Sequence, residues 1–383
     1  MRQFINNTPD PDKREKTTEE LDKILHFNDS VFDCEWVKKT LTDFTRTRAV
    51  YSVLQKYVDK LDDREAFLGI VGQMENCLNI DMDDNLGVDY FKNIDEHCEK
   101  LLDTKAKISF GYKMFDQATY GGIPVGDSCL FLFMAQPGLG KSMFMMNVAY
   151  NMLMDNKKVL MISLEMSEQV YSSRFDALFA DTSPNTLKDH IPEIKKSVSF
   201  VSRMHDRSQL FIKEFPTGTL TSAHLRQFLK NLRIHRDFVP DVIFVDYLGI
   251  MAPNQSGRDS GLYEKGAKVA TELRAVSCDL KIPIISAVQA NRSGAGGGYA
   301  GQDLGLENVA ESAAISATAD AIFSLWQNDD DKAIGKVNVN ISKNRYGGGK
   351  LGGFSMQMNR DTLRVTDWGE GFEEEEYFNE GTK

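Results

Sequence analysis

The sequence predicts an α/β protein with a mostly parallel sheet, preceded by a small all-helical N-terminal region. Beyond residue 108, short apolar runs alternate with amphipathic stretches of helical length, which is the pattern of parallel strands joined by crossover helices. Before that point, apolar residues recur every three or four positions, the spacing of helices that pack through one face. The apolar runs are CLFLFM (129–134), KVLMISL (158–164), QLFIK (209–213), VIFVD (242–246) and PIISAVQ (283–289), with further strand-like runs after residue 320.

Helical patterns account for the N-terminal part of the chain. Apolar side chains follow helical spacing over about 32–61, 64–79 and 88–103. We interpret these stripes as packing faces rather than as binding sites. The predicted organisation is a partial helical N-terminal region (1–87), a linker helix (88–107), an α/β core (108–369) and an acidic tail (370–383).

Composition excludes several classes of protein. The 383 residues contain no apolar run near the roughly 20 residues that a membrane span needs. The N-terminus also lacks the apolar segment of a secretory leader. Five scattered cysteines without a Cys-x-x-Cys pair favour a reduced, cytoplasmic protein, and they argue against a disulfide scaffold or a zinc site.

The net charge of −11 does not exclude a nucleic-acid partner, because the charge is unevenly spread. The α/β core, residues 108–369, carries 28 basic and 27 acidic side chains, so it is nearly neutral. Salt screens exposed charges beyond about 10 Å, and binding therefore depends on local fields rather than on the total charge of the chain.

The segment AQPGLGKS (135–142) follows the first apolar run and begins an apolar helix. A phosphate group needs a ring of backbone N–H groups, a helix N-terminus, a cation and, for Mg²⁺, a hydroxyl. This segment predicts a nucleotide-binding P-loop, in which Lys141 supplies the cation and Ser142 the hydroxyl. Ala135 replaces the first glycine of the usual pattern, at a position that ends the strand. The expected nucleotide-binding residues are Pro137, Gly138, Leu139, Gly140, Lys141 and Ser142.

Two carboxylates come at the ends of neighbouring apolar runs. Asp246 ends VIFVD, where it can hold Mg²⁺ through water beside Ser142; the alternative is an ordinary strand-terminal Asp that begins a turn. Glu165 follows VLMISL, where it can accept a proton from the water that attacks the γ-phosphate. Its alternative is a helix N-terminal residue stabilised by the helix dipole.

Three further polar residues have spacing that favours work on phosphate. Gln289 ends the run PIISAVQ, and its amide can bind the γ-phosphate; an ordinary surface loop is the alternative. Lys343 and Arg345 lie two residues apart on a late strand, so their side chains are expected on one face. An arginine fork suits transition-state phosphate oxygens, whereas the pair in isolation is also typical of a solvated basic edge.

Taken together, these motifs resemble those of DnaB-type hexameric replicative helicases, and the wording is most similar to the T-even phage branch. The order of the segments matches that family over 108–369, whereas 30–103 resembles only the later helices and the linker helix of its N-terminal domain. The segments are the P-loop, SLEMS (163–167), KEFPTG (213–218), FVPDVIFVDYLGIM (238–251), SAVQANR (286–292), VAESAAISATADAI (309–322) and ISKNRYG (341–347).

The resemblance implies a RecA-like ATPase core that assembles into a homohexameric ring, uses ATP and Mg²⁺, and moves 5′→3′ on single-stranded DNA. Other nucleoside triphosphates stay open as substrates. It also implies a primase and a helicase loader as partners, and the cytoplasm of a bacterial host for a phage-encoded protein. By the same resemblance, Glu165 activates water, Gln289 senses the γ-phosphate, and Lys343 with Arg345 acts on the neighbouring subunit.

Loops that face the channel of such a ring are expected to grip DNA, and the candidates are 252–268 and 292–305. Across 254–298, six basic side chains stand against four acidic ones, and glycine and serine N–H groups can add contacts to phosphate. The expected DNA-binding residues are Arg258, Lys265 and Arg292.

Two other classes of protein share the P-loop and Asp246. One is a RecA-like filament ATPase that binds DNA, and the other is a regulatory or loader ATPase that does not. The helical segment 88–103 and the late basic pair favour the ring, whereas the acidic balance gives the regulatory class some support.

Overall fold

The structure is a computed structural model in which the chain divides into two compact units, Met1–Asp103 and Thr104–Lys383. Within the described parts of the chain, no helix has the length and apolarity needed to cross a membrane. The described residues are 34–57, 107–126, 128–254, 262–290, 313–346 and 352–369, with the single positions 70, 73, 74, 77, 90, 91, 94 and 98.

The first unit contains helix α1 (Cys34–Tyr57), which agrees with the helical spacing of this stretch. Val53 is buried on α1 together with Ile70 and Cys77, and these three form a small apolar cluster. Gln73 Nε2 donates a hydrogen bond of 2.7 Å to Tyr57 Oη beside that cluster. The predicted helices over 64–79 and 88–103, and most of the predicted linker helix, lie outside the described residues.

In the second unit, nine described strands form one sheet in the order β11-β10-β9-β8-β3-β7-β6-β4-β5. The strands from β8 to β5 are parallel, whereas β9, β10 and β11 are antiparallel. The predicted fold class, a mostly parallel α/β sheet, is therefore confirmed. The strands are β1 (Lys107–Ile108), β2 (Ile123–Pro124), β3 (Leu130–Ala135), β4 (Lys158–Ser163), β5 (Gln209–Glu214), β6 (Val242–Asp246), β7 (Ile284–Gln289), β8 (Ala321–Trp326), β9 (Lys336–Asn344), β10 (Gly353–Asn359) and β11 (Arg364–Asp367).

Helices cover both faces of this sheet, which is why its central strands read as continuous apolar runs. All six residues of β3 are buried, and they alternate between two cores. Phe131 and Phe133 join the core beneath α3 and α4, whereas Leu130 and Leu132 join the core beneath α6 and α7. The helices are α2 (Lys113–Ala118), α3 (Lys141–Met154), α4 (Glu168–Ala180), α5 (Ile191–Met204), α6 (Ser222–Arg236), α7 (Leu262–Leu280), α8 (Ala313–Thr318) and α9 (Asp329–Ala333).

Phe115 is at the centre of the more aromatic core. It is fully buried, and its ring centroid lies 4.9 Å from the centroids of both Phe323 and Phe354. We expect Phe115→Ala to lower the free energy of unfolding by about 3–5 kcal/mol, because the cavity it leaves cannot close completely. Urea denaturation followed by circular dichroism measures the change. Phe200→Ala is the control, since that side chain on α5 is 55% exposed; equal effects of the two variants would contradict this account of the core.

The parallel strands place the carboxyl ends of β3, β4, β6 and β7 at one edge of the sheet. In such open sheets, ligands bind beyond these ends. The chain that leaves each strand here carries one of the predicted site residues, and this edge is therefore where the site is assembled.

Candidate functional site

The P-loop occupies the turn between β3 and α3. Ala135 is the last residue of β3, and its carbonyl accepts a hydrogen bond of 3.1 Å from the backbone N–H of Ala290. Alanine suits this position because the residue belongs to the strand and is fully buried. Gly140 has a φ of +111°, and an added Cβ would lie 3.1 Å from Met358 Cε, so a side chain there would be both strained and crowded. The helix α3 begins directly after it, at Lys141.

Lys141 lies between the P-loop and two carboxylates. Its Nζ donates to the carbonyl oxygens of Ala135 at 3.4 Å and Gln136 at 3.5 Å. Burial lowers the pKa of Lys141, while the negative charges of Asp246 and Glu165 oppose that shift. The structure therefore brings together three of the predicted site residues, and the lysine cation is available to phosphate oxygens at this edge.

Asp246 ends β6 and is 1% exposed. Its Oδ2 accepts a hydrogen bond from the Tyr171 hydroxyl. Among the residues that the structure describes, no group pairs with Oδ1, although this oxygen is buried. A buried carboxylate oxygen without a partner fits a site for a hydrated divalent cation, because a metal-bound water can donate to it.

Glu165 is exposed and follows β4 in a short turn. Ser163 Oγ accepts a hydrogen bond of 3.0 Å from the backbone N–H of Met166, and Ser167 caps α4. The helix begins at Glu168, three residues after Glu165, so Glu165 is not the helix N-terminal residue that the alternative interpretation required. Glu168 has that position instead, and its carboxylate accepts from Lys213 Nζ at 2.6 Å.

Gln289 ends β7 next to the P-loop strand. Its Cα is paired in register with that of Ala135, the residue from which the P-loop starts. The amide is therefore carried by the strand beside β3, at the same edge as Lys141 and Asp246.

Lys343 and Arg345 lie at the other edge of the sheet. The Arg345 backbone N–H donates to the Asp320 carbonyl at 2.9 Å, and the Asp320 N–H donates to Leu130, the first residue of β3, also at 2.9 Å. Arg345 is therefore level with the start of β3, about 16 Å along the strand from the P-loop and two strands away, or about 10 Å across the sheet. The structure does not bring this pair to the P-loop of its own chain.

The two basic side chains nevertheless share one location. Lys343 Nζ and Arg345 Nη2 donate to the same carbonyl, that of Ala317, at 3.0 and 2.9 Å. Arg345 Nη1 also donates to Asp320 Oδ1 at 2.8 Å, and Arg274 binds the same carboxylate. Burial and the neighbouring Arg345 lower the pKa of Lys343. The expectation that both side chains share one face agrees with these contacts, although Arg345 follows the last residue of β9.

Of the expected DNA-binding residues, Lys265 lies in the first turn of α7 and is partly exposed. Arg258, Arg292 and the loop 292–305 lie outside the described residues. These three side chains stay a prediction from the sequence.

Two residues at the site escaped the sequence analysis. Arg360, in the turn between β10 and β11, donates to the carbonyls of Gly138 at 3.3 Å and Leu139 at 3.4 Å. Tyr171, on α4, contacts Asp246. No local pattern could have found Arg360, because 221 residues separate it from Leu139. Tyr171 belongs to an amphipathic helix, in which an aromatic residue is typical of a packing face.

Comparison with known families and structures places this site in context. Residues 107–367 match the family described as DnaB-like helicase C terminal domain. Two solved structures are similar: that of a DnaB-like replicative helicase, reported with its interactions with primase, at a TM-score of 0.63, and that of a separate ATPase domain, at 0.60. They cover 86% and 74% of this chain, and this chain covers 78% and 100% of them. At 18% and 19% identity they show the fold alone.

Curated relatives carry the same family name. The DnaB-like replicative helicase of Enterobacteria phage T4 is 27% identical over 339 residues, which are 85% of this chain and 70% of the relative. The replicative DNA helicase DnaB of Haemophilus influenzae is 29% identical over 251 residues, which are 63% of this chain and 51% of the relative. That of Helicobacter pylori J99 is 25% identical, over 60% of this chain and 43% of the relative.

The family match covers more than half of the chain, and it includes the P-loop, both carboxylates, the glutamine and the late basic pair. The predicted resemblance is thereby confirmed, and so is the predicted class of enzyme, a DNA helicase that hydrolyses nucleoside triphosphate. The chain belongs to the DnaB-like replicative helicase family, and its residues 107–367 are the helicase C-terminal domain.

Proposed function

We propose that this protein is an ATP- and Mg²⁺-dependent helicase that moves 5′→3′ on single-stranded DNA as a homohexameric ring and unwinds duplex at the replication fork. The observation that carries the proposal is the division of the site residues between two edges of one sheet. Lys141, Asp246 and the strand-end Gln289 lie at the P-loop edge, whereas Arg345 lies at the opposite edge. By the family resemblance, a primase and a helicase loader are its partners.

At the P-loop edge, each residue has a distinct task on the nucleotide. Lys141 and the backbone N–H groups from Gly138 to Ser142 bind the phosphates, because α3 begins there and its first N–H groups are free of helical partners. Ser142 and Asp246 would hold Mg²⁺, which when bound neutralises the charge of the phosphate oxygens. Gln289 holds the γ-phosphate through its amide.

Glu165 is the proposed general base of hydrolysis. Its carboxylate is exposed, so it is accessible to water, and its charge is felt by Lys141, so it lies near the phosphates. It accepts a proton from the attacking water as the bond to the γ-phosphate forms. The loop 292–305, which follows the Gln289 sensor, then transmits loss of the γ-phosphate to the DNA.

The ring follows from the position of the basic pair. A site that needs Arg345 is complete only when the edge of one subunit meets the P-loop edge of the next. Such head-to-tail contacts between two different faces close into a ring when the rotation permits. Family membership also favours the ring over the two alternative classes, a RecA-like filament and a regulatory ATPase.

Unwinding of forked DNA tests the proposed function. With ATP and Mg²⁺, we expect the full chain to displace a strand from a fork that has a 5′ single-stranded arm, and not from a substrate with only a 3′ arm. Negative-stain images with ATP should show six-membered rings. Filaments in these images, or ATP hydrolysis that DNA does not stimulate, would contradict the proposal.

DNA binding by the ring is expected to be ATP-dependent, independent of sequence and sensitive to salt. The logarithm of affinity should fall with the logarithm of salt concentration by about 0.7 per phosphate contact on a single strand. Replacing Arg258, Lys265 and Arg292 by alanine should flatten this slope in fluorescence-anisotropy titrations. The matched control removes three exposed charges from α5, at Lys195, Lys196 and Arg203. An equal slope for both triple variants would place the DNA path elsewhere.

A further inference from the structure

Tyr171 is a buried tyrosine whose hydroxyl contacts the metal-site carboxylate. It lies one turn into α4, and its backbone N–H donates to the Ser167 carbonyl at 3.1 Å. The side chain is fully buried, and its hydroxyl donates to Asp246 Oδ2. The same hydroxyl interacts with the Ser142 side chain. One side chain of α4 therefore touches both residues that would hold Mg²⁺.

This contact leaves the two oxygens of Asp246 unequal. Oδ2 is occupied by Tyr171, whereas Oδ1 is buried and has no partner among the described residues. The terminal torsion of an aspartate has a broad energy minimum, so an unrestrained carboxylate can rotate. A hydrogen bond to one oxygen fixes the plane of the group and leaves the other oxygen for a metal-bound water.

The simplest alternative is that Tyr171 satisfies a buried hydroxyl with the nearest acceptor. Tyr112 in the same unit shows such a case, because its buried hydroxyl donates to the Val365 carbonyl at 3.2 Å, away from the P-loop. The two tyrosines differ in what they contact, and not in burial. Tyr112 is therefore a matched reference for the effect of losing a buried tyrosine hydroxyl.

We propose that Tyr171 is a positioning residue for the divalent cation: it orients Asp246 and Ser142 and thereby sets the affinity for the metal–nucleotide complex. The proposal rests on the proposed ATPase function. Residues that orient metal ligands typically change metal affinity by about 10- to 100-fold when they are removed. Tyr171 should act on the metal and leave metal-free nucleotide binding unchanged, since its hydroxyl contacts the residues that would hold the metal.

Binding of Mn²⁺ in the presence of a non-hydrolysable ATP analogue, followed by electron paramagnetic resonance, tests the role of Tyr171 without relying on turnover. We expect Tyr171→Phe to weaken Mn²⁺ binding by about 10-fold or more, the lower end of the range for such residues. Tyr112→Phe should bind Mn²⁺ as the wild type does. Binding of a fluorescent ATP analogue in EDTA should be alike in all three proteins.

A second comparison guards against a general loss of structure. With Asp246→Asn as the background, adding Tyr171→Phe should cause no further loss of Mn²⁺ affinity, because the two groups act as a unit. Equal Mn²⁺ affinities for Tyr171→Phe and Tyr112→Phe would overturn the proposal, as would fully additive losses. If the wild-type chain itself bound no Mn²⁺ with the analogue, the proposed function would fall and this inference with it.

Discussion

Arg345→Ala and Lys141→Ala subunits, each inactive alone, are expected to regain DNA-stimulated ATP hydrolysis when they are mixed before ring assembly. A transition-state arginine contributes about 10³- to 10⁵-fold to the rate, so rings of Arg345→Ala alone should be nearly inactive. Lys141→Ala removes the cation that α3 presents to the phosphates. In a mixed ring, an intact P-loop from one variant meets an intact Arg345 from the other at some interfaces.

The position of Arg345 is the reason to expect this result. It is anchored by Ala317 and Asp320 at the edge of the sheet opposite its own P-loop. Asp320 is 2% exposed and also binds Arg274, so the anchor is a buried carboxylate with two arginine partners. Recovery in the mixtures would locate the action of Arg345 on the neighbouring nucleotide.

A mixture of Lys141→Ala with Glu165→Gln is the control for complementation. Both of these changes damage the P-loop edge, so no interface in such a ring is intact and no activity should return. Native mass spectrometry of the mixtures establishes that mixed rings form. If Arg345→Ala and Lys141→Ala stay inactive at every ratio although they share rings, Arg345 acts within its own subunit or only supports the fold.

Glu165→Gln is expected to bind ATP and assemble on DNA, yet to turn over at least about 100-fold more slowly, the lower range for loss of a general base. The amide has the shape of the carboxylate but cannot accept a proton from water. Because Glu165 is exposed in a turn outside α4, the change removes no buried contact. Single-turnover hydrolysis, together with titration of a fluorescent ATP analogue, measures the two effects separately.

Glu168→Gln is the matched control for this variant. That carboxylate, three residues along the chain, pairs with Lys213 at the surface, where ion pairs contribute little. We expect near-wild-type turnover from it. Loss of ATP binding together with turnover in Glu165→Gln would indicate that Glu165 supports the strand end instead of activating water.

The positions of the P-loop, Asp246 and Glu165 could be predicted from the sequence because each is a local feature. A fully buried parallel strand reads as an apolar run, and the residue that ends such a run lies at the carboxyl edge of the sheet. β3, β4 and β6 all follow this rule, and the structure brings their terminal residues together around Lys141. Local pattern and topology therefore agree at this edge.

Other features depend on which distant segments pack together. β9 reads like any other strand, yet it runs antiparallel to β8, and this reversal places Arg345 at the edge opposite the P-loop. Tyr171 reaches Asp246 across 75 residues of chain, and Arg360 reaches Gly138 across 222. Strand direction and such contacts come from burial of both faces of the sheet at once, a property of the whole packed unit. The sequence by itself thus determined the residues that handle phosphate, whereas only the tertiary structure decided that the arginine lies apart from them and that a tyrosine holds the metal-site carboxylate.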